Sequence, residues 1–203
     1  MAVQALFGGS FDPVHNGHLA VARQVVKLFN VDKLWFIPAS VSPLKRGAMT
    51  ASDADRIQML KLAIGDDCHF GIDDCELLRG GVSYTIDTLR YWKERYPDDE
   101  IVFVAGMDSL LTLSKWNDYQ EIVRICRFVT FLRPGCDFAP RVEDLSLPVE
   151  LAKRLLADVF EGELNDISST EIRRLASEGK DIGDLVPSAV ARYIKEKSLY
   201  AVS

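Results

Sequence analysis

Short apolar runs alternate along the chain with segments whose apolar residues recur every three or four positions. The runs VQALF (3–7), KLWFI (33–37), HFGIDD (69–74), EIVFVA (100–105) and RFVTFL (127–132) predict strands. Between them, Leu19, Ala22, Val26 and Phe29 fall on one helical face. So do Ile57, Leu60 and Ile64, and then Ile86, Leu89 and Trp92. Ser52, before DADRIQML, and Ser168, before STEIR, stand where helix N-caps belong. Strand–helix alternation at this pitch predicts an α/β fold of the doubly wound, Rossmann-like kind, a parallel sheet with helices on both faces. Such a sheet binds ligands outside the C-terminal ends of its strands, where the strand order reverses.

RPGCDFAPRVEDLSLP (133–148) is rich in Pro and Gly and reads as a long connection. A closing helix is expected to begin near Pro187, since proline suits a first helical turn. No repeat or low-complexity tract interrupts the 203 residues, so a single domain over 1–203 is expected.

The charge balance narrows the partners. With 24 Lys+Arg against 30 Asp+Glu, the net charge of −6 argues against a general nucleic-acid binder, which needs a basic surface for phosphates. The start, MAVQALFGGSF, has neither a basic n-region nor a long apolar stretch, and no window reaches the length of a membrane span. Cys68, Cys75, Cys126 and Cys136 form no CxxC pair and read as reduced, mostly buried thiols. A cytoplasmic location is the expectation.

Candidate chemistry begins at GGSFDPVHNGH (8–18), directly after the first apolar run. It holds two of the three histidines of the chain, His15 and His18. Gly8 and Gly9 let backbone N–H groups approach a ligand with no Cβ in the way. Pro13 enforces a turn, and a helix is expected from near Asn16. A strand, a glycine turn and a helix N-terminus together make an anion site. It is neither a Walker A loop, since no GKS or GKT follows, nor a GxGxxG fingerprint. In a helix three residues turn the chain through about 300°, so His15 and His18 can face the same way and donate to phosphate oxygens. A metal pair or a purely structural cap are the other readings of two such histidines.

These residues resemble the (T/H)xGH signature of the nucleotidyltransferase superfamily, which transfers a nucleoside monophosphate and releases pyrophosphate. A second stretch, NDISSTEIRRLASEG (165–179), resembles the ISSTxIR signature that closes the ATP site there. Read by itself, Ser168 with Glu171 three positions on fits a capping box, with Arg173 one turn further able to lean toward an anion. A well-capped surface helix is the plain alternative. The resemblance implies that His15, His18 and Arg173 are the catalytic groups. Gly8, Gly9, Ser10, Phe11, Ile167, Ser168 and Ser169 would join them in binding ATP, the helical part from about 165 to 203 completing that site.

The acceptor must be read from the middle of the chain. SYTIDTL (83–89) puts Tyr84 and Thr85 at a helix N-terminus, where N–H groups can hold a carboxylate. AGMDSLLTLSKW (105–116) places Asp108 just past a strand end, suited to a ribose hydroxyl, and Trp116 offers a stacking face. Lys45 in SPLKRG (42–47) is available to a phosphate. Each has a plain counterpart: Trp116 as packing, Asp108 as a cap for a helix starting at Ser109, and Lys45 as a solvated charge.

Together the segments are similar to the bacterial nicotinate-nucleotide adenylyltransferase family, which carries SYTxxTL, GxDS…W and ISSTxIR along nearly its whole length. That likeness implies ATP as donor and nicotinic acid mononucleotide as acceptor, with Mg²⁺ carried on the ATP phosphates. It also implies that Lys45, Tyr84, Thr85, Asp108 and Trp116 bind the acceptor. No nucleic-acid or membrane partner is implied, and the chain is expected as a monomer or small homo-oligomer. One departure is the loop after the second strand, where the family's PPHK-like sequence is SPLK and Leu44 replaces the histidine. Phosphopantetheine adenylyltransferase and a non-catalytic nucleotide sensor on the same fold are the competing readings.

Overall fold

Alternate residues of each strand point to opposite faces, and here both faces are apolar. In β1 (Val3–Gly9) Ala5 and Phe7 pack into one buried cluster while Leu6 packs into the other. In β2 (Lys33–Pro38) Leu34 and Phe36 join the first cluster and Ile37 the second. In β4 (Glu100–Gly106) Val102 and Val104 oppose Ile101, Phe103 and Ala105 in the same way. A sheet apolar on both sides must be covered on both sides, which only crossover helices between parallel strands achieve.

The computed structural model describes residues 1–41, 51–132, 140–161 and 167–201. Lys45, with the rest of the SPLKRG loop, and Cys136 lie outside the described residues. With β3 (Phe70–Ile72), β5 (Arg127–Leu132) and β6 (Val159–Glu161), the strands form one sheet in the order β3-β2-β1-β4-β5-β6, every neighbouring pair parallel. The order reverses between β1 and β4. One face is covered by α1 (Asn16–Phe29), α2 (Asp53–Ile64), α8 (Ser169–Ser177) and α9 (Ser188–Glu196). The other is covered by α4 (Thr85–Arg95), α6 (Tyr119–Ile125) and α7 (Val149–Ala157), with α3 (Cys75–Arg79) and α5 (Met107–Thr112) beside them. The doubly wound α/β expectation therefore holds.

The differences are local. Gly8 and Gly9 lie within β1, paired with Ile37 and Pro38, rather than after it. The third strand is shorter than its 69–74 run, because Asp73 Oδ1 accepts the Cys75 N–H at 2.9 Å and starts α3. The edge strand β6 and the helix α7 that feeds it were not among the expected elements. The caps at Ser52 and Ser168 form, each side-chain oxygen accepting the N–H three residues on. The reciprocal half of the Ser168 capping box does not form, because the Glu171 carboxylate turns to Arg174 at 2.6 and 2.9 Å. Asp108 caps no helix: α5 starts one residue earlier than it, at Met107 behind Gly106. Cys75 and Cys126 are buried free thiols, each pushed up to about 12 by burial, and so are poor nucleophiles; Cys68 is exposed. Among the described residues no helix is long and apolar enough to cross a membrane.

Candidate active site

The loop from Gly9 to Asn16 leaves β1 at the strand-order reversal and is shaped by a buried ring. Phe11 is 1% exposed and adopts φ +48°, unusual for a residue with a side chain. Its ring packs edge-on against Phe7, Phe36 and His18, at 5.7, 5.5 and 5.0 Å between centroids. Gly9 makes room for it: a Cβ there would sit 2.8 Å from the ring. Phe11 thus serves as the floor under His18, and its side chain does not line the surface of the loop.

His15 is the N-cap of α1, in extended conformation, and His18 is its third residue. The His18 N–H donates to His15 Nδ1 and the His15 N–H donates to His18 Nδ1, both at 3.3 Å. The two rings stack at 3.6 Å. Because both Nδ1 atoms accept, the hydrogen-bond geometry assigns the ring proton to Nε2 in each. The pair is therefore two stacked imidazoles at a helix N-terminus, each with its proton assigned to Nε2.

The second motif meets this loop directly. Ser169 Oγ donates to the Pro13 carbonyl at 3.0 Å, and Arg173 donates to the Asp12 carbonyl at 2.7 Å. Ile167 lies against Gly17, where a Cβ would come within 3.8 Å of it and 3.0 Å of His15. Gly8, Gly9, Ser10, Phe11, His15 and His18 are thus brought together with Ile167, Ser168, Ser169 and Arg173, although most of the chain separates the two sets.

Three further groups hold this junction, and two of them, Arg56 and Tyr200, lie outside both motifs. Arg56 of α2 is fully buried and donates to the Ser10 carbonyl at 2.7 Å, the Ala39 carbonyl at 2.8 Å and Asp53 at 2.7 Å. It ties the β1 loop to the end of β2. Its signal was in the sequence: it shares the buried face of α2 with Met59 and Leu60, three and four residues on. Asp12, 3% exposed, accepts from the Tyr200 hydroxyl at 2.7 Å and from the Ala51 N–H at 3.3 Å. Burial first, and then the Asp12 carboxylate, push the Tyr200 phenol above its ordinary value.

Tyr84, Thr85 and Asp108 sit beyond the ends of β2 and β4, the two strands that flank β1. Tyr84, exposed, is the N-cap of α4 and makes no side-chain cap bond; Thr85 is its first residue. This turn is fastened to the end of β2, since Ser83 N–H donates to Val41 O at 2.9 Å and Ser40 N–H to Ser83 Oγ at 3.0 Å. Asp108 lies exposed in the first turn of α5, directly beyond β4. Trp116 is half-buried, edge-on to Phe103 and Phe128 at 6.3 and 5.9 Å, and its indole N–H has no acceptor among the described residues. Asp67, Cys68 and His69 form a His/Cys/Asp/Glu group close enough to share an ion. They lie exposed in the turn before β3, at the opposite end of the sheet from these residues.

Comparison with known proteins identifies the family of the chain. The model of the cytidylyltransferase-like family matches residues 6–175. A protein of Citrifermentans bemidjiense named "Probable nicotinate-nucleotide adenylyltransferase" is 39% identical over 96% of each chain. One of the same name from Clostridium acetobutylicum is 37% identical, over 98% of this chain and all of its own. The Plasmodium falciparum nicotinic acid mononucleotide adenylyltransferase, solved complexed with NaAD, superposes with a TM-score of 0.77 at 20% identity and 98% coverage of both chains, a likeness of fold. At that identity and coverage by its bacterial relatives, the chain belongs to the nicotinate-nucleotide adenylyltransferase branch of the cytidylyltransferase-like family.

Proposed function

We propose that this chain transfers the adenylyl group of ATP to nicotinic acid mononucleotide, giving deamido-NAD and pyrophosphate in NAD biosynthesis. The observation that carries this reading is the junction of the two motifs. The His15–His18 donor pair and Arg173 meet at the strand-order reversal, in a chain whose bacterial relatives bear that name.

An acceptor phosphate oxygen attacks the α-phosphorus of ATP in line. The bond from that phosphorus to the α,β-bridging oxygen breaks, and its electron pair leaves on pyrophosphate. No enzyme nucleophile takes part, so positioning and charge stabilisation do the catalytic work. Nε2–H of His15 and His18 donate to phosphate oxygens, which gain charge as the bond breaks. Gly8, Gly9 and Ser10 offer close backbone approach, and Ile167, Ser168, Ser169 and Arg173 close the far side of the triphosphate. Mg²⁺ carried on the ATP phosphates rather than in a protein cage would offset their charge.

For the acceptor, the N–H groups at Tyr84–Thr85 receive the ring carboxylate, Trp116 stacks on the pyridine and Asp108 takes a ribose hydroxyl. Lys45 is assigned to the acceptor phosphate from the sequence alone. The whole chain acts as one domain in the cytoplasm, as a monomer or small homo-oligomer, without nucleic acid or membrane.

The test is pyrophosphate release from Mg·ATP by purified protein with nicotinic acid mononucleotide, nicotinamide mononucleotide or phosphopantetheine. Strong turnover with the acid mononucleotide alone is expected. Equal rates with both pyridine nucleotides would discard the carboxylate pocket, and turnover only with phosphopantetheine would discard the acceptor. ATP binding with no turnover on any of the three would make the protein a sensor.

A further inference from the structure

Behind the Tyr84–Thr85 turn lies a buried polar node with no part in the chemistry of phosphoryl transfer. Glu76 of α3 is 7% exposed. Thr88 Oγ1, 1% exposed, donates to its Oε1 at 2.6 Å, and Ser83, 8% exposed, has its hydroxyl beside the same carboxyl, where it favours the charged form. The polarity of these contacts is fixed from outside. Ser83 Oγ already accepts the Ser40 N–H at 3.0 Å, and Thr88 Oγ1 already accepts the Arg79 guanidinium at 3.1 Å. Each hydroxyl has one proton left to give: Thr88 gives its own to Glu76, and Glu76 is the acceptor that stands beside Ser83.

The node therefore joins four segments: α3, the residue before the cap of α4, the first turn of α4, and the end of β2. Burying a carboxyl is costly, and burial raises Glu76 from its ordinary value even though the two hydroxyls and Arg79 pull the other way. An apolar side chain would pack α3 against α4 without that cost. What an apolar side chain could not do is hold the Thr88 hydroxyl in the first turn of α4 while presenting an acceptor to Ser83, just before the helix start at Tyr84 and Thr85.

We propose that Glu76 is a positioning residue for the acceptor. By holding Thr88 in the first turn of α4, with Ser83 beside it, Glu76 aims the N–H groups at the start of α4 at the carboxylate of the pyridine nucleotide. The proposal rests on the acceptor pocket assigned above, and it concerns acceptor affinity and acid-over-amide selectivity rather than the chemical step.

The experiment measures KM for nicotinic acid mononucleotide, KM for ATP and kcat, with calorimetric binding of the mononucleotide, in Glu76→Ala, Glu76→Gln, Thr88→Val and Ser83→Ala. Loss of a buried hydrogen-bonded anchor predicts about a tenfold rise in acceptor KM for Glu76→Ala, with ATP KM moving less than about twofold. Glu76→Gln, whose amide oxygen can still accept one hydroxyl, should recover part of the loss, and calorimetry should show the same order. The single-link variants should move the same parameter by less. If Glu76→Ala does not fold, Thr88→Val and Ser83→Ala carry the test. Acceptor KM unchanged in both, or acceptor and ATP KM rising together, would overturn the proposal. Two controls separate this from failure of the pocket: turnover of the acid mononucleotide by the unaltered protein, and a raised acceptor KM in Trp116→Ala. If both hold while Glu76 variants bind the acceptor normally, only the role of Glu76 falls.

Discussion

Replacing Arg56 by lysine tests whether the phosphate loop is set by a brace that no motif contains. Arg56 reaches two carbonyls through different nitrogens, Nη1 to Ser10 and Nη2 to Ala39, and also Asp53 through Nη2. A lysine ammonium is a single point and cannot span both carbonyls as the guanidinium fork does. At least one buried carbonyl then loses its donor, which costs about 1–3 kcal/mol. Asp53 is 58% exposed and can turn to water, so its loss adds little. For a domain of this size each kcal/mol moves Tm by about 2–4 °C, so Arg56→Lys should melt roughly 2–12 °C lower. Arg56→Met would strand both carbonyls, a large share of a total stability of about 5–15 kcal/mol; lysine is the workable change. On the proposed function Ser10 belongs to the ATP loop, while Ala39 follows β2, so ATP KM should rise more than acceptor KM. Thermal unfolding by circular dichroism and steady-state pyrophosphate release would measure both. A variant that melts within about 1 °C of the parent and binds ATP equally well would refute the brace.

Three further outcomes are expected. His18→Ala should retain the fold and lose turnover by roughly 10²–10³-fold, the scale seen when a transition-state donor is removed; near-normal kcat would remove His18 from the mechanism. Gly9→Ala puts a Cβ 2.8 Å from the Phe11 ring, which Phe7, Phe36 and His18 hold in place. Overpacking of about 1–3 kcal/mol should appear as a lower Tm together with a lower kcat as His18 is displaced, and a silent variant would mean that the loop yields freely. Tyr200→Phe should lower stability near neutral pH by about 1.5–3 kcal/mol, the worth of a hydrogen bond to a charged group. Its pH dependence has a definite sign. The folded phenol lies above its ordinary 10.0, so its contribution is complete below pH 10.0 and is lost as pH rises past that value while the unfolded phenol ionises. Melting curves of parent and variant should therefore converge above pH 10.0; a gap that is constant across that range would refute the assignment.

What the sequence made legible was whatever has a local cause. The five apolar runs became strands because a strand buried on both faces must be apolar throughout. The helices α1 and α4 declared their buried faces by spacing, whereas in α2 only Leu60 of the expected Ile57, Leu60 and Ile64 is buried, beside Arg56 and Met59. VFE (159–161) gave no such sign: it is three residues long, half-exposed or exposed, and is a strand only because it pairs with β5. Helix α7 followed directly on a Pro-rich stretch that drew the reading toward a loop. At the site, both motifs were legible because their residue types are specific to phosphate chemistry. Their supports were not. Tyr200 stands 188 positions from Asp12, and nothing near either residue points to the other. Glu76 sat in a run of acidic and small residues that reads as solvated surface until α3 folds it inward.

The histidine pair shows why the capping and catalytic readings of GGSFDPVHNGH do not compete. A side chain that caps a helix must accept a backbone N–H, and a side chain that stabilises a phosphate must donate. Ser, Thr, Asn or Asp could serve the cap, but a carboxylate would repel the ligand and a hydroxyl would be too short to reach past the first turn. Imidazole has one nitrogen for each task. Here Nδ1 of His15 and of His18 accept each other's backbone N–H, so the cap itself fixes the tautomer that leaves Nε2–H as donor. The two rings stack at 3.6 Å, and Gly17 leaves space beside them for Ile167 of the closing segment. The spacing of three between the histidines follows from this arrangement: N-cap and third helical residue are the two positions whose side chains and backbone N–H groups can bond reciprocally. Folding the helix start and arming the phosphate site are one event.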